Sequence, residues 1–238
     1  VTGIITYLAV KNTNKRAEKR EAQNRHEEQR KLQKEKQWDI FSKLKGIQSS
    51  LPQDYLDYYI NKVASLYQEA AARLHSEKEN QRLHLEESRS LHARSYENGR
   101  FFAKDRRELY EIIGLIQILF PNKPQLNKKI NPIYLQLIPF ESEFNQEILR
   151  NELEILIPGI FGDLRKWVEN FEIDKVGENF KKINEWRATK VKRINKLATE
   201  NVSQQLEDLL IYLQAEMLID LNDWPEEIRA KSWWQFWK

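Results

Sequence analysis

The sequence predicts an all-α protein, a membrane-proximal long helical hairpin followed by a helical bundle. Three observations carry this expectation. Only seven Gly and seven Pro occur in 238 residues, leaving long stretches without a helix breaker. Apolar residues recur at intervals of three and four through most of the chain, the spacing of one helix face. Nothing reads as a ladder of short alternating strands between turn signals.

Residues 1–10, VTGIITYLAV, form an apolar run that enters a charged segment directly. Ten helical residues rise ~15 Å, about half of a hydrocarbon core of ~30 Å. The chain begins with Val, so the run reads as the end of a transmembrane helix. No Lys or Arg precedes it in this sequence and no small-residue cleavage pattern follows, which argues against a secretory signal peptide. Tyr7 sits where an interfacial aromatic would, and Lys11, Lys15, Arg16, Lys19 and Arg20 follow as a basic flank. Such a flank belongs on the cytoplasmic side. The expected location is therefore a membrane, single-pass, with residues after about 11 cytoplasmic. The alternative is a short helix or strand tucked into a soluble core.

Residues 11–36 hold ten Lys/Arg against five Glu. Glu21 with Arg25 and Glu27 with Lys31 are i,i+4 pairs in the favourable order, each adding about 0.2–0.5 kcal/mol to an isolated helix. Ala17, Ala22 and Leu32 are its only apolar residues, so the segment lacks a core face. It reads as a solvated helix, an anionic-lipid contact or one wall of a loose coiled coil.

Trp38, Phe41, Leu44, Ile47 and Leu51 then give one apolar stripe. Gly46, Ser49 and Ser50 interrupt it, and Pro52 suits a first helical position. A second hairpin arm is expected from Pro52 to Asn98, with a heptad-like seam of Leu56, Ile60, Val63, Tyr67, Ala70 and Leu74. In the same register Gln81, His84 and Ser88 are polar, so the far end of the hairpin is expected to be wet. Phe101 to Phe120 is the most apolar stretch, but Glu108 and Glu111 sit within it, and it reads as a buried core helix. Pro121, Pro124, Pro132 and Pro139 predict turns with at most a short helix over residues 122–140. Phe144 to Ile157 predicts a helix stopped by Pro158–Gly159, and Phe161 to Phe171 a short one. A long helix follows with Ile183, Val191, Ile194, Ala198, Val202, Leu209, Leu213, Met217 and Leu221 inward. The predicted divisions are residues 1–10 as the membrane segment, 11–98 as the stalk, 99–222 as the bundle and 223–238 as a Trp-rich amphipathic tail. In that tail Trp233, Trp234 and Trp237 resemble interfacial anchors; folding back onto the bundle or self-association are the alternatives.

Little in the sequence carries chemistry. There are no Cys, which removes disulfides, Cys-based zinc sites and a Cys nucleophile. A Gly-rich phosphate loop, GxSxG, CxxC and HExxH are all missing. His75, His84 and His92 lie nine and eight residues apart and, on one unbroken helix, cannot share a metal; no metal site is expected. Glu141, Glu143, Glu147, Glu152 and Glu154 lack an EF-hand or Glu-x-x-His pattern and read as a solvated face. Arg20-EAQNR-His26 resembles the R-x4–6-H spacing of HEPN-type ribonucleases, helical domains in which Arg and His act on RNA phosphate and leaving group. The resemblance covers these two residues and implies Arg20 and His26 as the catalytic pair.

The leading functional expectation is a membrane-anchored, non-enzymatic helical scaffold that oligomerises or presents a cytosolic helical domain to a protein partner, without cofactors. The expected partners are a lipid membrane and further copies of the chain. Nucleic acid is not expected, because Glu residues interrupt the basic helix. The second reading is an oligomeric membrane effector or channel gated by its cytosolic domain, and the third a HEPN-like ribonuclease.

Overall fold

The computed structural model describes residues 2–120, 123–162, 167 and 175–222, and these are helical without a strand. In chain order come α1 (Thr2–Leu74), α2 (Lys78–Leu119), α3 (Pro124–Glu143), α4 (Gln146–Leu156) and α5 (Val176–Asn195). A π-helical segment (Lys196–Ser203) then leads directly into α6 (Gln204–Asn222). The all-α expectation therefore holds.

The membrane expectations do not. No helix among the described residues is long and apolar enough to cross a membrane. Residues 2–10 are the first turns of α1, and the helix enters its charged stretch without a break. An 18-residue window over that start takes in Lys11, Lys15, Arg16 and Glu18, and each charge at a bilayer centre costs ~2.5–3.5 kcal/mol. The transmembrane helix, the single-pass membrane location with a cytoplasmic remainder after residue 11, and the channel are corrected accordingly.

A hairpin does form, but its turn lies elsewhere. α1 continues through Gly46 and Pro52 to Leu74, and the chain reverses at residues 75–77. Proline inside a helix removes a hydrogen bond and costs about 3 kcal/mol. Against that, Leu44, Ile47, Leu51, Tyr55, Tyr59 and Val63 are all buried along one face, each worth roughly 1.5–3 kcal/mol when fully buried. The continuous apolar face outweighs the local breaker. Ser49 and Ser50 turn their hydroxyls back onto the carbonyls of Lys45 (3.1 Å) and Gly46 (3.4 Å), so they are accommodated within the helix.

α2 runs antiparallel to α1, with Ser88 opposite Ser65, Ser95 opposite Tyr58 and Gln37 opposite Leu119. Of the positions expected to be wet, Glu77 is exposed and Gln81 and His84 are half-buried, whereas Ser88 is sealed into the seam. Ser65 Oγ donates to Ser88 O (3.0 Å), Ser88 Oγ donates to Ser65 O (2.9 Å), and both serines are buried. Small side chains bring the two backbones close, and reciprocal bonding satisfies hydroxyls that would otherwise be buried unpaired. At Gly99 an added Cβ would lie 2.8 Å from the Tyr58 ring. Beyond it Phe102 enters an aromatic cluster with Tyr55 (centroids 4.1 Å apart), while Tyr59 meets Phe144.

The remaining helices cover this hairpin, and buried side chains from Ile40 to Met217 form one cluster. Residues 124–143 are helical despite Pro132 and Pro139, which corrects the expectation of turns. Pro124 occupies a first-turn position, and Leu126, Ile130, Ile133 and Leu137 supply a buried stripe at steps of four, three and four. α4 begins at Asn145, whose side chain accepts from Glu147 N (2.9 Å). It stops before Pro158 and Gly159, the latter at φ +81°, as the sequence predicted. The buried face of the last helical stretch advances by four at Ile194, Ala198, Val202 and Leu206. Steps of four outrun an α-helix, and π turns within Lys196–Ser203 absorb the excess, so one face stays inward. Most of the expected short helix over residues 161–171, and all of 223–238, lie outside the described residues.

Leu109 is fully buried, whereas Leu32 on the first half of α1 is 55% exposed. Leu109→Ala should therefore lower unfolding stability by about 2–5 kcal/mol, and Leu32→Ala should stay within about 0.5 kcal/mol. Urea denaturation followed by circular dichroism measures both.

Candidate functional site

Two features stand apart from the packed core. The first is the leading half of α1. From Lys15 to Gln33 every side chain is exposed, and burial begins at Gln37. At 1.5 Å per residue, the exposed stretch of residues 15–36 spans roughly 33 Å of helix. Exposed charge pairs such as Glu21–Arg25 (3.4 Å) lie along this arm, and a helix polar on all sides depends on pairs of this kind. Of the chain's 39 basic residues ten lie in 11–36, and of its 36 acidic residues five do. The arm is thus net +5 and the remainder net −2.

Arg20 and His26 are both exposed on this arm. Six residues apart on one helix, they differ by ~9 Å in height and ~120° in direction. Lys15 and Arg16 are exposed there too, while Tyr7 and Lys11 belong to the first turns of α1, where only the backbone is described. Trp233, Trp234 and Trp237 fall outside the described residues.

The second feature is a histidine pair at the tip of the hairpin, which sequence reasoning missed. His75 follows the last residue of α1 and His84 lies in the second turn of α2. The turn between them folds the two imidazoles together, with Nε2 to Nε2 at 3.0 Å and near-parallel rings 4.7 Å apart. Gln68 Oε1 lies 2.5 Å from His84 Nδ1. Gln68 thereby fixes the His84 proton on Nδ1, and His84 Nε2 accepts from His75 Nε2–H. Gln81 Nε2 donates to His75 O (2.6 Å) and Trp167 Nε1 to Arg73 O (3.0 Å), satisfying carbonyls at the open end of α1. Phe180 of α5 closes the pair edge-on at 5.0 Å from His75. His92 stands apart and exposed. The available signal was polar: Gln81 and His84 occupy seam positions where an apolar residue would otherwise stand.

No group of three or more metal-ligating side chains exists among the described residues. Of the carboxylates of the predicted solvated face, Glu147 is exposed and Glu141 lies outside the described side chains, while Glu143, Glu152 and Glu154 have structural partners. Glu152 accepts from Trp186 Nε1 (2.9 Å) and Lys190 Nζ (2.6 Å), and Glu154 from the backbone N–H groups of Gly159 and Phe161. Glu143 takes a two-pronged contact from Arg193, which holds its carboxyl below the usual range.

Burial first, and then the neighbouring His75, push the His84 pKa below its ordinary value; Glu87 pulls the other way. Between the lowered folded value and the unfolded value near 6.5 the unfolded chain binds more protons, so stability rises with pH through that window. This contribution is complete above the unfolded value and is lost as pH falls through the folded one. Urea midpoints should therefore drop between pH 7.5 and 5 by more in the intact chain than in His84→Gln. Equal drops would show that the pair does not contribute. Comparison of the chain with protein-family models, with curated proteins and with solved structures finds no match.

Proposed function

We propose that this chain is a non-catalytic helical scaffold whose α1 arm is its joining element, binding a further copy of the chain. The observation behind this reading is the arm itself. From Lys15 to Gln33 it exposes every side chain, yet it grows without a break from the helix whose Ile40–Leu74 face is buried in the bundle. A rod anchored in this way transmits position and orientation, which a flexible tail of equal length would not.

Charge favours a second copy as the partner. The arm is net positive and the remainder net negative, so association of arm with bundle brings opposite signs together and is steered by them. On α4, Ile148 and Ile155 are exposed beside Glu147, an apolar and acidic surface suited to the arm's long basic side chains.

Light scattering after size exclusion tests this proposal. The intact chain should show a mass above its 28.6 kDa monomer at low salt, shifting toward monomer as salt rises. Reversal of Lys15, Arg16, Lys19 and Arg20 to Glu should abolish the larger species. A monomer at every concentration, or an oligomer indifferent to these substitutions, would overturn the proposal.

A further inference from the structure

α2 carries a second unassigned surface, on its outward face about midway along the helix. Arg100, Lys104 and Arg107 are exposed there at i, i+4 and i+7, which places them in one stripe roughly 10 Å long. None of the three forms an ion pair with another described residue. Phe101 is 54% exposed, and Tyr110, 38% exposed, packs on one side against the Tyr134 ring of α3 with centroids 5.2 Å apart; their helical phases put them on opposite flanks of the stripe, at ~100° and ~80° from Arg100. The side chains border an open groove of about 750 Å³.

We infer that this face binds single-stranded nucleic acid, with the phosphates on Arg100, Lys104 and Arg107 and the bases stacked on Phe101 and Tyr110. Unpaired cations between exposed rings are the combination a flexible strand requires, because backbone charge and unpaired bases are met at once. A duplex keeps its bases stacked inside and would leave the rings unused. Glu97 and Glu111 stand at the two ends of the stripe, so the strand crosses α2 from one ring to the other rather than following the helix axis. The absence of nucleic acid from the expected partners rested on the arm, where Glu residues alternate with the basic ones. On this face Glu97, Glu108 and Glu111 also lie within about one turn of the cations, but the exposed Phe101 stands beside them, whereas residues 11–36 hold no Phe, Tyr or Trp.

The test is fluorescence anisotropy of a labelled oligouridine with the full chain, measured between about 50 and 200 mM salt. Three neutralised phosphates predict a slope of log affinity against log salt of about −2. The combined Arg100→Ala, Lys104→Ala, Arg107→Ala variant should lose at least about 10-fold in affinity and flatten that slope, and Phe101→Ala alone should lose about 10-fold. All four side chains are exposed, and unchanged thermal melts confirm that each variant folds. Arm variants with Lys15, Arg16, Lys19 and Arg20 reversed should still bind, which separates this inference from the oligomerisation proposal. The inference is overturned if the intact chain does not bind, if the triple variant binds as before, or if Phe101→Ala has no effect. It is overturned equally if duplex binds as tightly as single strand.

Discussion

The structure depends on the burial of one face of α1. From Ile40 to Leu74 that face is almost wholly withdrawn from water, and α2, α4, α5, the π segment and α6 all pack on it. The hairpin partner, the aromatic cluster around Tyr55 and the site of the histidine pair are consequences of this single rod. The constraint also explains why a proline is tolerated mid-helix. A break at Pro52 would split the face that α2, α4, α5 and α6 use, so the local loss of one hydrogen bond is absorbed.

Polar groups inside this arrangement set the registry. Apolar contacts alone would let two long helices slide by a turn at modest cost. The reciprocal serine contacts at Ser65 and Ser88, the Ser95 bond to Tyr58 O and the Gln37 bond to Leu119 O specify one alignment. A shift by a turn would leave buried donors and acceptors unpaired, each costing about 1–3 kcal/mol. The hairpin tip follows the same logic, since only this registry places Gln68, His75 and His84 within bonding distance.

The sequence made the helical class legible, together with the buried faces of the later helices. Ile183, Ile194, Ala198, Val202, Leu209, Leu213 and Met217 are buried as their spacing implied. Helix boundaries were less legible wherever local signals opposed tertiary burial. Pro52, Gly99, Pro132 and Pro139 all read as punctuation, and all lie inside helices. The true reversal at residues 75–77 contains neither Gly nor Pro, and is set by where the apolar faces must double back. The histidine pair was hidden for that reason: nine residues apart on a continuous helix, the rings would diverge. The apolar start of the chain misled in the opposite sense, because its ten apolar residues run directly into Lys11, Lys15, Arg16 and Glu18 and no described helix is long and apolar enough to cross a membrane. The arm was legible as a solvated helix from its charge pattern, whereas the surface on α2 required knowing which cations go unpaired.

Rod continuity is the claim on which both the arm and the bundle rest. The chain has no cysteine of its own, so spin labels on Ala22→Cys and Asn61→Cys report a single distance by pulsed electron resonance. A continuous α1 predicts one narrow distribution near 58 Å, about 39 residues at 1.5 Å each. A reversal near Pro52 would give a distance near 30 Å, and a flexible joint a broad distribution; either result would contradict the account.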